Sequence, residues 1–157
     1  MSEMRVVGVR VELPANQPIL LLRETEGERY LPIWIGNGEA TAIALEQQGV
    51  QPARPMTHDL LRDVISALGG ELRQVRITEL QEGIFFAELV FDGDVRVSAR
   101  PSDSVALALR AGVPIHAEES VLSEAGLIIP DEQENEVERF REFLESVSPE
   151  DFRGADT

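Results

Sequence analysis

Apolar and polar positions in this chain follow two rhythms, and each predicts its own elements. Met4 to Leu13 alternates and is rich in valine, as a strand with one buried face does. Shorter runs at Ile19–Arg23 and Tyr30–Ile35, separated by polar turns, extend it into an antiparallel meander. From Glu39 to Gln48 the rhythm turns helical, with Ala40, Ala42, Ile43, Ala44 and Leu45 small or apolar and Gly49 suited to close the helix. Leu60, Leu61, Val64, Ile65 and Leu68 recur at three- and four-residue spacing and predict a helix from Thr57, its expected N-cap, to Leu68. Strands are expected at Leu72–Leu80, Ile84–Phe91 and Val95–Ala99, with Asp92-Gly93 as a tight hairpin. A helix capped by Ser102 or its neighbour runs to Ala111, followed by a short strand at Ile115–Ala117 and a short helix at Glu118–Glu124. Glu134–Ser146 reads as a last, acidic helix.

One unit occurs twice: a strand, a polar elbow, a helix of small residues, Gly-Val, then Pro. The first copy is LPIWIGNGEATAIALEQQGVQP (Leu31–Pro52) and the second VSARPSDSVALALRAGVP (Val97–Pro114). The repetition implies a pseudo-symmetric α+β fold with an antiparallel or mixed sheet and a groove where the two elbows meet. Residues 1–130 are expected to form one domain, and 131–157 an acidic C-terminal helix and frayed tail.

Charge narrows the chemistry. The formal net charge is -15, all fourteen basic residues are arginine, and there is no cysteine. Thiolate catalysis, disulfides and Cys-bound zinc are thereby excluded, and a reducing cytoplasm is compatible. No apolar run is long enough to span a bilayer, and the first residues lack the pattern of a secretory signal. An acidic surface repels nucleic acid at long range, so binding a polynucleotide requires local arginines or a bridging cation.

Three clusters carry candidate chemistry. In the second elbow, Arg100 can grip a phosphate, Ser102 can accept from first-turn N–H groups, and Asp103 can cap the helix, pair with Arg100 or hold a cation. In the first, Gly36 and Gly38 permit close approach, and Glu39 can serve the helix dipole, a metal or a proton transfer. In the third, Arg54, His58 and Asp59 surround a helix start. His58 can take a proton from water near neutral pH, but it and Asp59 point in different directions as helix neighbours. His116 is a weaker candidate. The set is compatible with metal-assisted phosphodiester hydrolysis, with a divalent cation such as Mg as the cofactor to consider.

At LPIWIGNGEATAIAL, RPMTHDLL and ARPSDSVALALRAGVPI the chain resembles the bifunctional nuclease family, over roughly residues 4 to 130. The resemblance implies an α+β domain that self-associates, with a dimer favoured, and nuclease activity on DNA and RNA. It brings Glu39, His58, Asp59 and Asp103 forward as catalytic candidates, and Arg54, Arg100 and Ser102 as substrate-binding ones. One position departs from the family's pattern: Ser98 stands where an Asp often precedes Ala-Arg-Pro. Two other readings stay open. One is a non-catalytic oligomeric module whose acidic tail binds a basic protein. The other is a small-anion site at the elbows.

Overall fold

The computed structural model describes residues 1–12 and 16–129. The expected helix at Glu134–Ser146 and the proposed tail lie outside these residues. The chain builds β1 (Ser2–Glu12), β2 (Gln17–Glu24), β3 (Arg29–Trp34), α1 (Asn37–Gln47), α2 (Thr57–Ala67), β4 (Leu72–Gln81), β5 (Ile84–Phe91), β6 (Arg96–Ala99), α3 (Pro101–Ala111), β7 (Ile115–Ala117), α4 (Glu119–Ala125) and β8 (Leu127–Ile128).

The strands form one mixed sheet in the order β6-β5-β4-β7-β1-β2-β3-β8. Each half is a three-stranded antiparallel meander, β1-β2-β3 or β4-β5-β6, followed by an elbow and an eleven-residue helix, α1 or α3. The repeat seen in the sequence is the visible end of this longer unit. β7 stitches the halves together, antiparallel to β1 and parallel to β4, and supplies the sheet's mixed character. α4 touches both β3 and β4, which have three strands between them in the sheet. The sheet is therefore strongly curved, in keeping with the natural twist of strands.

α1 and α3 pack against each other and against the sheet, and α2 packs on α3. The main core joins Leu20, Leu22, Leu31 and Ile33 of the first meander to Val75, Ile77, Ala87 and Leu89 of the second through Ile43, Val105 and Leu107. Small residues let the helices approach closely: Ala40, Ala42, Ala106 and Ala108 are all buried. The repeated Gly-Val has a physical cause. Gly49 (φ 73°) and Gly112 (φ 70°) are left-handed at the ends of α1 and α3, a conformation that costs other residues more than glycine. Val50 N–H then donates to Leu45 O (3.0 Å), and Val113 N–H to Ala108 O (3.2 Å), the same closing bond in both copies.

Four local expectations change. α2 is capped by Met56 rather than Thr57: the Asp59 carboxylate accepts the Met56 N–H at 3.0 Å, three residues back. α3 is capped by Arg100, with Pro101 as its first residue, where a missing N–H costs nothing; Ser102 is a buried first-turn residue. Asp92-Gly93 is not a two-residue hairpin but part of a 3₁₀ turn over Asp92–Asp94, with Gly93 (φ 75°) and Asp94 (φ 63°) both left-handed. The short helix runs from Glu119 to Ala125, and β8 follows it to pair with β3.

Candidate active site

Three helix starts converge. α1, capped by Gly36, carries Glu39 in its first turn, α2 carries His58 and Asp59, and α3 carries Asp103. Helix N-termini present positive dipole ends, so each stabilises the acid it carries. Glu39 folds back over its own elbow. A Cβ on Gly36 would fall 2.5 Å from Glu39 Oε1, so glycine leaves the room this carboxylate occupies.

A continuous chain of polar contacts joins the three starts. Arg100 Nη2 lies 3.3 Å from Glu39 Oε2, across 61 positions of sequence. Arg100 Nε and Nη2 both reach Asp103 Oδ2 at 2.9 Å. Asp103 Oδ1 is 2.9 Å from His58 Nε2, across 45 positions. Because a carboxylate only accepts, His58 carries its proton on Nε2, and Nδ1 holds the lone pair when the ring is neutral. The chain grades from cover to solvent: the His58 side chain is 12% exposed and that of Arg100 66%. Arg100 Nη1 makes no hydrogen bond or ion pair among the described residues.

The other candidates fall elsewhere. Asp59 faces away from this chain: its Oδ1 accepts from Arg110 Nε at 2.7 Å and its Oδ2 from Met56 N–H at 3.0 Å. The Met56 N–H and the Arg110 guanidinium hold its carboxyl below the usual range, although burial opposes them. Arg110 also donates to Ala106 O and Ala42 O, both at 2.9 Å, so one side chain ties α1, α2 and α3 together. The sequence reading did not single out Arg110; its only signal is an arginine in the last turn of α3, after the apolar run Val105–Leu109. Arg54 is exposed in the loop before α2 and makes no hydrogen bond or ion pair among the described residues. Ser98 lies on edge strand β6, opposite Glu88. His116 sits in β7, opposite Glu3 and Arg76, with its pKa lowered chiefly by burial.

Beside Arg100 opens a cleft of about 420 Å³, walled by the end of β3, the β4–β5 turn and the start of α3. A second cavity of about 470 Å³ separates α2 from β4. It contains none of Glu39, His58, Arg100 or Asp103, and its Arg62 and Arg73 are paired with Asp63, Asp92 and Glu71. Of the two, only the smaller is lined by a member of the polar chain, Arg100.

A divalent cation does not fit this donor set. Glu39, Asp103 and His58 are linked through Arg100 and to one another rather than aimed at one point, and no group of three His, Asp or Glu side chains among the described residues is arranged to hold a metal ion.

The architecture defines a class: an α+β domain of two meander–elbow–helix units, with ionisable groups gathered where the helices begin. Residues 20–130 match the bifunctional nuclease domain, and the chain belongs to that family. It is 65% identical, over 98% of its length and 99% of the relative's, to an uncharacterised protein of Mycobacterium tuberculosis strain H37Rv. It is 30% identical to bifunctional nuclease 2 of Arabidopsis thaliana over 74% of this chain, and 29% identical to bifunctional nuclease 2 of Oryza sativa over 76%. It spans 37% and 39% of those two plant proteins. Among the described residues, no helix is long and apolar enough to cross a membrane.

Proposed function

We propose that the protein hydrolyses phosphodiester bonds in nucleic acid, with His58 as the proton acceptor and Arg100 as the phosphate-binding group. The observation that carries this is the unbroken His58–Asp103–Arg100–Glu39 chain, assembled from three separate helix starts. Asp103 fixes the His58 ring and its tautomer, as an orienting carboxylate does in other hydrolytic sites. Water gives a proton to His58 Nδ1 as its oxygen bonds to phosphorus. The ester P–O bond breaks, and the departing alkoxide recovers a proton from the imidazolium. Arg100 Nη1 faces the non-bridging oxygens as charge develops on them. Glu39 holds the guanidinium from the other side. Both DNA and RNA are substrates on this reading, because water, not a sugar hydroxyl, is the nucleophile. A cysteine-free chain acting on nucleic acid suits the cytoplasm.

The test is cleavage of labelled single-stranded RNA and DNA by purified protein, with and without added Mg, beside the Arg100→Ala/Asp103→Ala double variant. Loss of cleavage with retained folding supports the reading. Cleavage that survives the double change places the activity elsewhere.

A second reading has its own observation. α2 contains no buried residue, and Met56, Leu60, Leu61, Val64 and Leu68 of that helix and its flanks are exposed, Leu68 at 82%. Such a stripe supports an association surface, for which a dimer of this chain is the occupant we favour; on this reading the elbows are structural joints. Light scattering on Leu60→Glu/Val64→Glu separates the two. A dimer that dissociates while cleavage continues leaves both roles standing, whereas a monomeric wild type removes the dimer.

A further inference from the structure

The cleft beside Arg100 differs in kind from the rest of this surface. The chain has 29 acidic residues against 14 arginines, yet among the described residues the only ionisable one lining the cleft is Arg100. Two aromatic rings line it: Trp34 at the end of β3 and Phe85 at the start of β5, both partly exposed. Ile84 stands beside Phe85 with half its surface in water. Gly83 contributes backbone without a side chain, so a flat group meets little obstruction on that side, while the Glu39 carboxylate takes the space beside Gly36. The elements that hold these residues are strand ends, a tight turn and a helix start, all part of the curved sheet and its packed helix. The cleft meets the polar chain of the active site at one residue, Arg100, which belongs to both.

We propose that this cleft seats one unstacked nucleobase of a single-stranded polynucleotide, against Trp34 and Phe85, while the adjoining phosphate lies on Arg100. The proposal rests on Arg100 being the phosphate-binding group of the hydrolase reading, and it deepens that reading by naming the substrate as single-stranded at the site of cleavage. Aromatic side chains hold bases through their π faces with little regard for sequence. The lining adds no acid to the Glu39 and Asp103 already paired with Arg100, so the Nη1 edge of Arg100 is where an anion approaches this otherwise acidic chain. A base paired within a duplex would have to be extruded first, at a cost of a few kcal/mol, so duplexes are disfavoured. The sugar-phosphate bond next to the seated base is thereby presented to the Arg100–Asp103–His58 side.

Trp34 is the chain's one tryptophan, so its fluorescence reports the cleft directly. The experiment titrates the full-length protein, and its His58→Ala variant to prevent cleavage, with a short oligothymidylate and with a blunt duplex of matched length. Stacking is expected to quench Trp34 with the single strand and not with the duplex. Phe85→Leu keeps the apolar bulk but removes a π face, and is expected to weaken binding roughly 5- to 150-fold. Ile84→Ser, at an exposed position, serves as the second variant should Phe85→Leu fail to fold, and is expected to weaken binding in the same direction. Equal affinity for duplex and single strand, an unquenched tryptophan, or unchanged binding by folded variants overturns the proposal. The two readings separate cleanly. Quenching without cleavage by the wild type removes the hydrolase and keeps the base site. Cleavage of duplex and single strand alike, with Trp34 silent, keeps the hydrolase and removes the base site.

Discussion

Arg100 and Arg110 stand at opposite ends of the same helix and have opposite situations. Arg110 is 2% exposed, and its guanidinium is occupied by Asp59 and by carbonyls of two helices. Arg100 is 66% exposed, touches two carboxylates and keeps one nitrogen without a partner among the described residues. One α3 arginine closes the structure, and the other is presented to solvent. Residue type alone does not distinguish a brace from a binding group; the number of donors left over does.

The largest effect that tests this contrast is on stability. Arg110→Ala leaves a mostly buried Asp59 carboxylate and the carbonyls of Ala42 and Ala106 without their donor. Breaking a buried pair from one side costs about 3–5 kcal/mol. Chemical denaturation is expected to show that loss, and a loss under 1 kcal/mol would remove Arg110 as the brace. Asp59 should share in it. Its pKa is lower folded than unfolded, so its contribution is complete above the ordinary carboxylate range and fades as pH falls through the folded value.

Arg100→Ala inverts the pattern. As an exposed ion pair it contributes under about 1 kcal/mol to stability, and its loss should barely move the denaturation midpoint. Removing a donor from developing phosphate charge is expected to lower kcat by roughly 100- to 1,000-fold. Arg100→Lys should recover only part of this, since an ammonium cannot keep the fork that reaches Asp103 and Glu39 together. A variant that loses stability but not turnover would make Arg100 a second brace.

How far this contrast was legible in the chain depends on distance. Alternation at Met4–Leu13 and helical spacing at Leu60–Leu68 report local geometry, and those elements were readable to within a few residues. The two elbows share letters, so α1 and α3 could be matched before any coordinates. Their preceding meanders match in their pattern of pairing, and the full duplication emerged from the sheet order. β8 has two residues, too short for any period to register. Arg110 lies in a run of small apolar residues, where an arginine reads as solvent-facing. Its three partners come from positions far apart, and only folding assembles them. The His58–Asp103 contact is of the same kind, whereas the Arg100–Asp103 pair, three residues apart, was readable.

Arg29 extends the contrast to acid. Its Nε and backbone N–H reach Glu24 Oε1, its Nη2 reaches Glu24 Oε2, and Glu119 holds the far edge. The Arg29 side chain thus lowers the pKa of buried Glu24 to about 2. A depressed folded pKa stabilises above the unfolded value, so this contribution is present from neutrality down to the ordinary carboxylate range and disappears as pH falls toward 2. Its size is about 3 kcal/mol. Denaturation followed against pH should show that slope in the wild type and a shallower one in Glu24→Gln. Equal slopes would mean the acid sensitivity comes from other carboxylates.

Arg54 is the smallest test and the sharpest on the contrast itself, because it is an arginine with nothing to brace. It is exposed, four residues before His58, and makes no ion pair or hydrogen bond among the described residues. A surface change of this kind moves stability by less than about 0.5 kcal/mol, so Arg54→Ala should denature with the wild type. Any effect must then appear in the kinetics. If Arg54 holds substrate and transition state alike, its removal raises KM severalfold and leaves kcat unchanged. Unchanged KM would confine phosphate recognition to Arg100. A fall in kcat instead would bring Arg54 into contact with the reacting phosphate, and availability, more than place in the contact chain, would then be what marks a working arginine in this fold.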